Sequence, residues 1–190
     1  MALGLTLSNC GGKEEEQQEQ PTNTLDAIQQ MAEKAEEMQN REPVDPVDFR
    51  QLKDLLPESA AGLERTEATG EKTGTMGFTI SQAEAKYQKD DANVEVQILD
   101  TGGVGGMAMM GLAAWTMAEV DKETASGYEK TTRLNGYKAF EKYDNSRQDG
   151  ELNLIVGDRY IVNVKGRNVS MEQLKGTLDD LDLDKLAAMK

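Results

Sequence analysis

The chain has 190 residues, a formal net charge of −14, one cysteine and no histidine. The charge argues against a nucleic-acid partner, because phosphates would be repelled, and the lack of histidine removes the usual general base and the commonest metal ligand. One cysteine cannot form an internal disulfide, so the fold must depend on packing, for which a domain of about 140 residues is large enough.

The only cysteine, Cys10, lies between a short apolar run and a strongly acidic stretch. Leu7-Ser8-Asn9-Cys10 resembles the lipobox of bacterial lipoproteins, with Asn9 larger than the residue usual at its position. In that family, signal cleavage leaves the cysteine N-terminal, and acyl chains are added to its sulfur and amine; two or three chains give stable anchoring. The resemblance implies that Cys10 is lipidated and that residues 1–9 are the remnant of a signal sequence. An unmodified cysteine is the alternative.

The residues after Cys10 indicate whether such an anchor would be in the inner or the outer membrane. Gly11 is not the aspartate that retains enterobacterial lipoproteins at the inner membrane. Lys13-Glu14-Glu15-Glu16 resembles the acidic surface-export signals of Bacteroidetes lipoproteins. The resemblance therefore implies the outer membrane, on its periplasmic or its surface face.

Residues 10–46 are expected to form an acidic tether. Residues 11–48 carry 3 basic and 11 acidic side chains, net −8, and this composition is too poor in apolar residues to form a core. Apolar residues spaced by three and four predict a helix near 25–39, which lies on the domain or pairs with a partner helix. Pro43 and Pro46 end this segment, so the domain is expected to span 47–190.

The first part of the domain contains one short helix and two strands. Val47 to Leu56 places its apolar residues on one side, as in a helix. Residues 78–87 partly alternate between apolar and polar, and Asn93 to Leu99 alternates clearly, which is typical of half-buried strands. Residues 58–75 show no clear pattern and leave room for a first strand.

Residues 104–120 are apolar almost throughout and predict a buried helix. About 17 residues are too few for a bilayer, which needs roughly 20. The segment is rich in methionine, which fills irregular cores and also forms adaptable binding surfaces. Core filling and a surface for an apolar ligand or partner both remain open, and the candidate residues for that surface are Met107, Met110, Trp115 and Met117.

The last third predicts a meander of strands followed by a helix. Asn135-Gly136 is the strongest two-residue hairpin signal, and it separates strands at 128–134 and 137–143. Gly157-Asp158 separates strands at 151–156 and 159–165. Ser170 with Gln173 forms a capping box that begins the final helix, Gly176 is expected to interrupt it, and Asp184 to restart a last turn.

These elements predict an α+β domain with an antiparallel sheet of about five to seven strands, since hairpin-linked strands favour this over a doubly wound sheet. The 104–120 helix and the C-terminal helix are expected on one face of it. The tether with its partial helix precedes this domain.

Two motifs suggest ligands but lack the context that those ligands need. Residues 103–108 fit the glycine pattern of a dinucleotide turn, but hairpins follow instead of further parallel strands. The aspartates of 179–184 suggest calcium, but the glycine and the final glutamate of an EF-hand loop are missing. We therefore expect no cofactor and no metal.

The sequence favours a non-catalytic protein of the cell envelope, anchored to the membrane by lipid at Cys10, that acts as an interaction or binding module. Its expected partner is another envelope protein. A carrier of an apolar small molecule is the alternative, and it requires a cavity beside the methionine-rich helix. An enzyme is a second alternative, because carboxylates are plentiful, although no pair of them is marked by its spacing.

Overall fold

The computed structural model describes residues 44–75, 78–103, 115 and 119–190. These residues form nine strands and three short helices: β1 (Ser59–Ala60), β2 (Leu63–Thr75), β3 (Phe78–Lys89), β4 (Ala92–Asp100), β5 (Asp121–Thr124), β6 (Gly127–Leu134), β7 (Tyr137–Asp144), β8 (Asp149–Val156), β9 (Tyr160–Arg167), α1 (Phe49–Lys53), α2 (Met171–Asp179) and α3 (Leu183–Ala188).

All the described strands belong to one antiparallel sheet with the order β1-β2-β3-β4-β9-β8-β7-β6-β5. It consists of two meanders, β1 to β4 and β5 to β9, which meet where β4 pairs with β9. That pairing runs from Asn93 opposite Arg167 to Asp100 opposite Tyr160. After β4 the chain leaves the centre of the sheet, and it re-enters the sheet at the far edge as β5.

One face of the sheet carries all three helices, and we call it the helix face. Alternation along the central strands places Val96, Val162 and Leu154 there, each fully buried. Leu174 of α2 and Leu186 of α3 pack into the same core, as does Leu52 of α1. Among the described residues, the other side of the sheet, the opposite face, has a much smaller buried cluster of Leu99 and Ile161. Within this part of the chain, most of the stabilising burial of apolar side chains is therefore on the helix face.

Several local predictions are confirmed. Asn135 and Gly136 join β6 to β7 with positive φ angles of 50° and 84°, as a two-residue hairpin of this type requires. Gly157 and Asp158 likewise have positive φ between β8 and β9. Ser170 and Gln173 form the predicted capping box at the start of α2.

The predicted architecture is correct in outline and wrong in its counts. The sheet is antiparallel with helices on one face, but the described residues contain nine strands instead of five to seven. The described part is mostly β, and its three helices are short. Gly176 does not interrupt α2, which continues from Met171 to Asp179, because the loss of stability from one helical glycine is only about 1 kcal/mol.

The strand β2 lies in residues 58–75, where the sequence only left room for a first strand, and it is 13 residues long. Its residues on the helix face include Ala68 and Gly70, which pair with Ala85 and Ala83 of β3. Small residues suffice there, because Phe49 of α1 covers Gly70. The strand therefore lacks the large alternating apolar residues by which strands are recognised.

The predicted helix at 25–39 lies outside the described residues, and so does the predicted helix at 104–120 apart from residues 115, 119 and 120, of which 119 and 120 are not helical. In the described part of the chain, no helix is long and apolar enough to cross a membrane.

Candidate functional site

The candidate residues from the sequence fall mostly outside the described part of the chain, which is the case for Cys10, Met107, Met110 and Met117. Trp115 is described, and its ring stacks on Phe140 with the centroids 6.1 Å apart. Phe140 pairs with Asn153 and Thr131, which places it on the opposite face. Trp115 therefore lies on the other side of the sheet from the C-terminal helix α2, whereas the prediction placed its segment on the same side.

An apolar row lies near Phe140 on the opposite face. Leu99 pairs with Ile161, and Ile161 with Ile155, while Ile80 of β3 packs against the same cluster. Ile161 is only 2% exposed although α1, α2 and α3 lie on the other side of the sheet. This row is the apolar part of the opposite face.

A row of alternating charges crosses the opposite face at a different level of the strands. Each residue pairs directly with the next one in the register, from β2 to β5. We call the set the charge row: Glu67, Lys86, Glu95, Lys165, Glu151, Lys142, Glu129 and Lys122. Opposite charges directly across a strand pair stabilise a sheet, each pair by roughly 0.2–1 kcal/mol.

Ion pairs within the charge row show that neighbouring members contact each other. Lys142 lies 2.9 Å from Glu129, and Lys86 lies 3.2 Å from Glu67. The hydrogen bond from Lys142 lowers the pKa of Glu129, and the hydrogen bond to Glu67 raises the pKa of Lys86. Because positive and negative side chains balance, the row presents no net charge to attract an ionic ligand.

A strap of residues 44–48 is fastened to one end of the sheet by the buried carboxylate of Asp100. Asp100 is fully buried and accepts four hydrogen bonds: from Val47 N at 2.8 Å, from Gly102 N at 2.9 Å, and from Arg159 Nε and Nη2 at 2.8 and 2.7 Å. The hydrogen bonds to Asp100 raise the pKa of Arg159. Val44 N also donates to Gly102 O at 3.0 Å. The chain is thus attached to the sheet from Val44 onwards.

A second buried carboxylate, Glu141, lies on the helix face at the edge of the core. It is 1% exposed and accepts a hydrogen bond from the Tyr128 hydroxyl. Lys175 of α2 lies 3.0 Å from its Oε2, and Lys130 lies 3.7 Å from its Oε1. Burial and the bond to Glu141 raise the pKa of Tyr128 above its usual range. Two ammonium groups thus compensate the carboxylate, and we assign the cluster to fastening α2 to the sheet.

A shallow depression of about 600 Å³ lies at the end of the β6–β7 hairpin, lined by Asn135, Tyr137 and residues of the α2–α3 turn. Asp179 accepts a hydrogen bond from Asn135 Nδ2 at 3.2 Å, and Asp182 accepts one from Lys185 N at 2.9 Å. Two of the aspartates that suggested calcium therefore bind groups of the protein itself. Across the described residues, no group of three or more acidic, histidine or cysteine side chains is arranged to hold a metal.

The outer edge of β2 is the main unpaired surface of the described sheet. The neighbouring strand β1 pairs with Leu63 and Glu64, Arg65 N donates a hydrogen bond to Glu58 O at 2.9 Å, and a bulge follows between Arg65 and Glu67. Beyond the bulge, β2 pairs with β3 on its inner side and has no partner strand on its outer side among the described residues. Such an edge presents free backbone donors and acceptors to another strand.

Sequence reasoning missed these sites for different reasons. Glu141 could have been found, because it shares the period-two pattern of β7 with Tyr137, Ala139 and Tyr143 and so falls on the side of the core. The Asp100–Arg159 pair joins residues 59 positions apart, and the charge row exists only through the register of eight strands. Neither leaves a local signal.

Comparisons with known proteins add no relative to this description. No protein family, no curated protein and no solved structure matches the chain.

Proposed function

We propose that the chain is a non-catalytic protein of the bacterial cell envelope, anchored by lipid at Cys10, whose domain binds another protein of the envelope. The observation that carries the binding role is the outer edge of β2, which has no partner strand within the described residues beyond Arg65. Adding a strand to such an edge is a common mode of protein recognition, in which main-chain hydrogen bonds supply the affinity.

The anchoring part of the proposal rests on Leu7-Ser8-Asn9-Cys10 and on the acidic residues that follow it. The strap adds a geometric argument. Because Asp100 holds Val47 and Gly102 holds Val44, a tether before Val44 would join the sheet at the end where Arg159 lies. A lipid anchor at Cys10 would then attach the domain to the membrane through that end of the sheet.

Lipidation is tested by expressing the chain behind a complete signal sequence in a bacterium supplied with a palmitate analogue. We expect the label in the membrane fraction for the parent chain and for a Ser8→Ala control, which keeps a small residue at that position of the motif. We expect no label in Cys10→Ala. Equal labelling of Cys10→Ala, or an unlabelled parent protein in the soluble fraction, would contradict the anchor.

The binding role is tested by placing a photo-crosslinking amino acid at Thr69, an exposed position of β2, in cells. The control carries the same amino acid at Glu123, an exposed position of β5 on the far edge. We expect a discrete protein adduct from position 69 and none from position 123. No adduct from position 69, or the same adducts from both edges, would contradict binding at the β2 edge.

A second candidate function, carriage of an apolar small molecule, is favoured by the apolar row and by Trp115 on Phe140. Both lie on the opposite face, where they could contact an apolar ligand. This candidate predicts saturable binding of a fluorescent apolar probe that Phe140→Ala weakens. Absence of saturable binding would remove it.

A further inference from the structure

The two outer edges of the described sheet are protected to very different degrees. β5 has four residues, all exposed, and three of them are charged. Proteins blunt edge strands in this way, with short strands and charges, to prevent pairing with other chains. β2 continues for nine residues beyond its bulge, from Glu67 to Thr75, with no partner strand on its outer side among the described residues. Only the β2 edge is long enough for a regular strand pair.

An aromatic side chain lies over the middle of this edge. Phe49 of α1 is only half-buried, and a Cβ atom on Gly70 would approach Phe49 Cδ2 to 2.6 Å. Glycine is therefore needed at position 70 for Phe49 to lie flat against β2. The Arg50 guanidinium lies over the ring, 4.5 Å from its centroid, so a strand added outside β2 would pack beside both side chains.

We propose that the β2 edge pairs with the β2 edge of a second copy of this chain, antiparallel and with its two-fold axis at Gly70. The proposal rests on the proposed function, since it names the partner at the same edge. In this register Glu67 lies opposite Thr73, Ala68 opposite Lys72 and Thr69 opposite Glu71. No like charges face each other, and each carboxylate faces a threonine hydroxyl that can donate a hydrogen bond.

The neighbouring registers are less favourable. Residues directly opposite each other in a sheet point to the same face. In an antiparallel pair of two identical strands, the two-fold axis must therefore pass beside a residue and not between two residues. A pair centred on Thr69 would place Glu67 opposite Glu71 twice, and a pair centred on Glu71 would place that carboxylate opposite its own copy. Like charges directly opposite are destabilising. Charge therefore selects the register centred on Gly70.

The same register brings the two copies of Phe49 together on the helix face. Each ring lies over its own Gly70, and the two glycines are directly opposite at the axis. Aromatic pairs contribute beyond the area that they bury, and a central aromatic surrounded by weaker contacts is typical of residues that dominate an interface. Main-chain hydrogen bonds and this aromatic pair together define the contact.

The experiment measures the monomer–dimer equilibrium of the full chain by sedimentation, with a reducing agent present so that Cys10 cannot form a disulfide. Thr69 faces Glu71 in the proposed pair, so Thr69→Glu adds repulsion twice and Thr69→Lys adds attraction twice. At roughly 0.2–1 kcal/mol for each pair, we expect the dissociation constant to rise about 2- to 30-fold in Thr69→Glu and to fall by a similar factor in Thr69→Lys.

Two further variants control the result. Phe49→Ala should weaken the dimer, whereas Glu123→Lys on the far edge should leave it unchanged. A chain that is monomeric at all concentrations would overturn the inference, and so would a dimer that responds equally to Thr69→Glu and Thr69→Lys. A monomer that still forms a crosslink from position 69 to a different protein would overturn only this inference, whereas a lack of any crosslink at position 69 would overturn the proposed function.

Discussion

Replacing Asp100 with asparagine tests whether the buried carboxylate fastens the strap to the sheet. Asp100 is fully buried and accepts four hydrogen bonds, two of them from Arg159, whose side chain is 12% exposed. Asparagine keeps the size but has one accepting oxygen instead of two and carries no charge. The variant therefore leaves a guanidinium without its counter-ion and at least one backbone amide without an acceptor.

The expected cost follows from these two losses. Removing one partner of a buried ion pair costs about 3–5 kcal/mol, because the other charge stays buried. Arg159 can turn partly to solvent, whereas a lost backbone hydrogen bond adds about 1–3 kcal/mol. We therefore expect Asp100→Asn to lower the free energy of unfolding by about 3–4 kcal/mol, near the low end of the range for buried pairs.

The assay is urea unfolding, followed by circular dichroism and by the fluorescence of Trp115. The matched control is Glu58→Gln, which removes the partner of Arg65 from an ion pair of 2.5 Å in which Glu58 is 88% exposed. That pair should contribute less than about 1 kcal/mol. Asp100→Asn with Arg159→Gln should cost less than the sum of the two single variants. Equal small losses in Asp100→Asn and Glu58→Gln would refute the reasoning.

Two further predictions concern packing and the start of the domain. Gly166→Ala should lower the free energy of unfolding by about 1–3 kcal/mol through overpacking, because its Cβ would lie 2.4 Å from a methyl group of Val169. Gly176→Ala has open space at its Cβ and should instead stabilise α2 by about 1 kcal/mol. Thermal unfolding of the two variants checks that the effects have opposite signs. A chain that starts at Val47 should melt well below one that starts at Val44, because it lacks the Val44–Gly102 hydrogen bond and the buried Pro46; equal melting temperatures would contradict a structural role for the strap.

The parts of the fold that the sequence predicted are those with local causes. The hairpin at Asn135-Gly136 needs two residues that accept positive φ, and the capping box needs Ser170 and Gln173 at fixed spacing. β4 was recognised because Val94, Val96 and Ile98 face one core. Each of these signals lies within ten residues or fewer of the structure that it specifies.

The parts that could not be predicted depend on distant residues. β2 needs only small residues on the helix face because Phe49 covers Gly70, so it has no apolar alternation of its own. Its unpaired edge is visible only when the order of the strands is known. The candidate functional sites were predicted less well than the fold. The β2 edge, the strap and the charge row arise from the pairing of distant segments and not from any one segment.

The methionine-rich segment supplies the last prediction, because it separates a binding module from a carrier. Met107, Met110 and Met117 lie outside the described residues, and we predict that they fill a core. In a filled core, truncating one of them to alanine should cost about 2–5 kcal/mol. In a ligand pocket that is already partly empty, the same change should cost less than about 1 kcal/mol and should instead alter binding of a fluorescent apolar probe.

We expect large losses of stability for at least two of the three variants and no saturable probe binding by the parent chain, since a domain of this size needs one well-filled core. Small losses together with saturable binding would make the carrier the better interpretation.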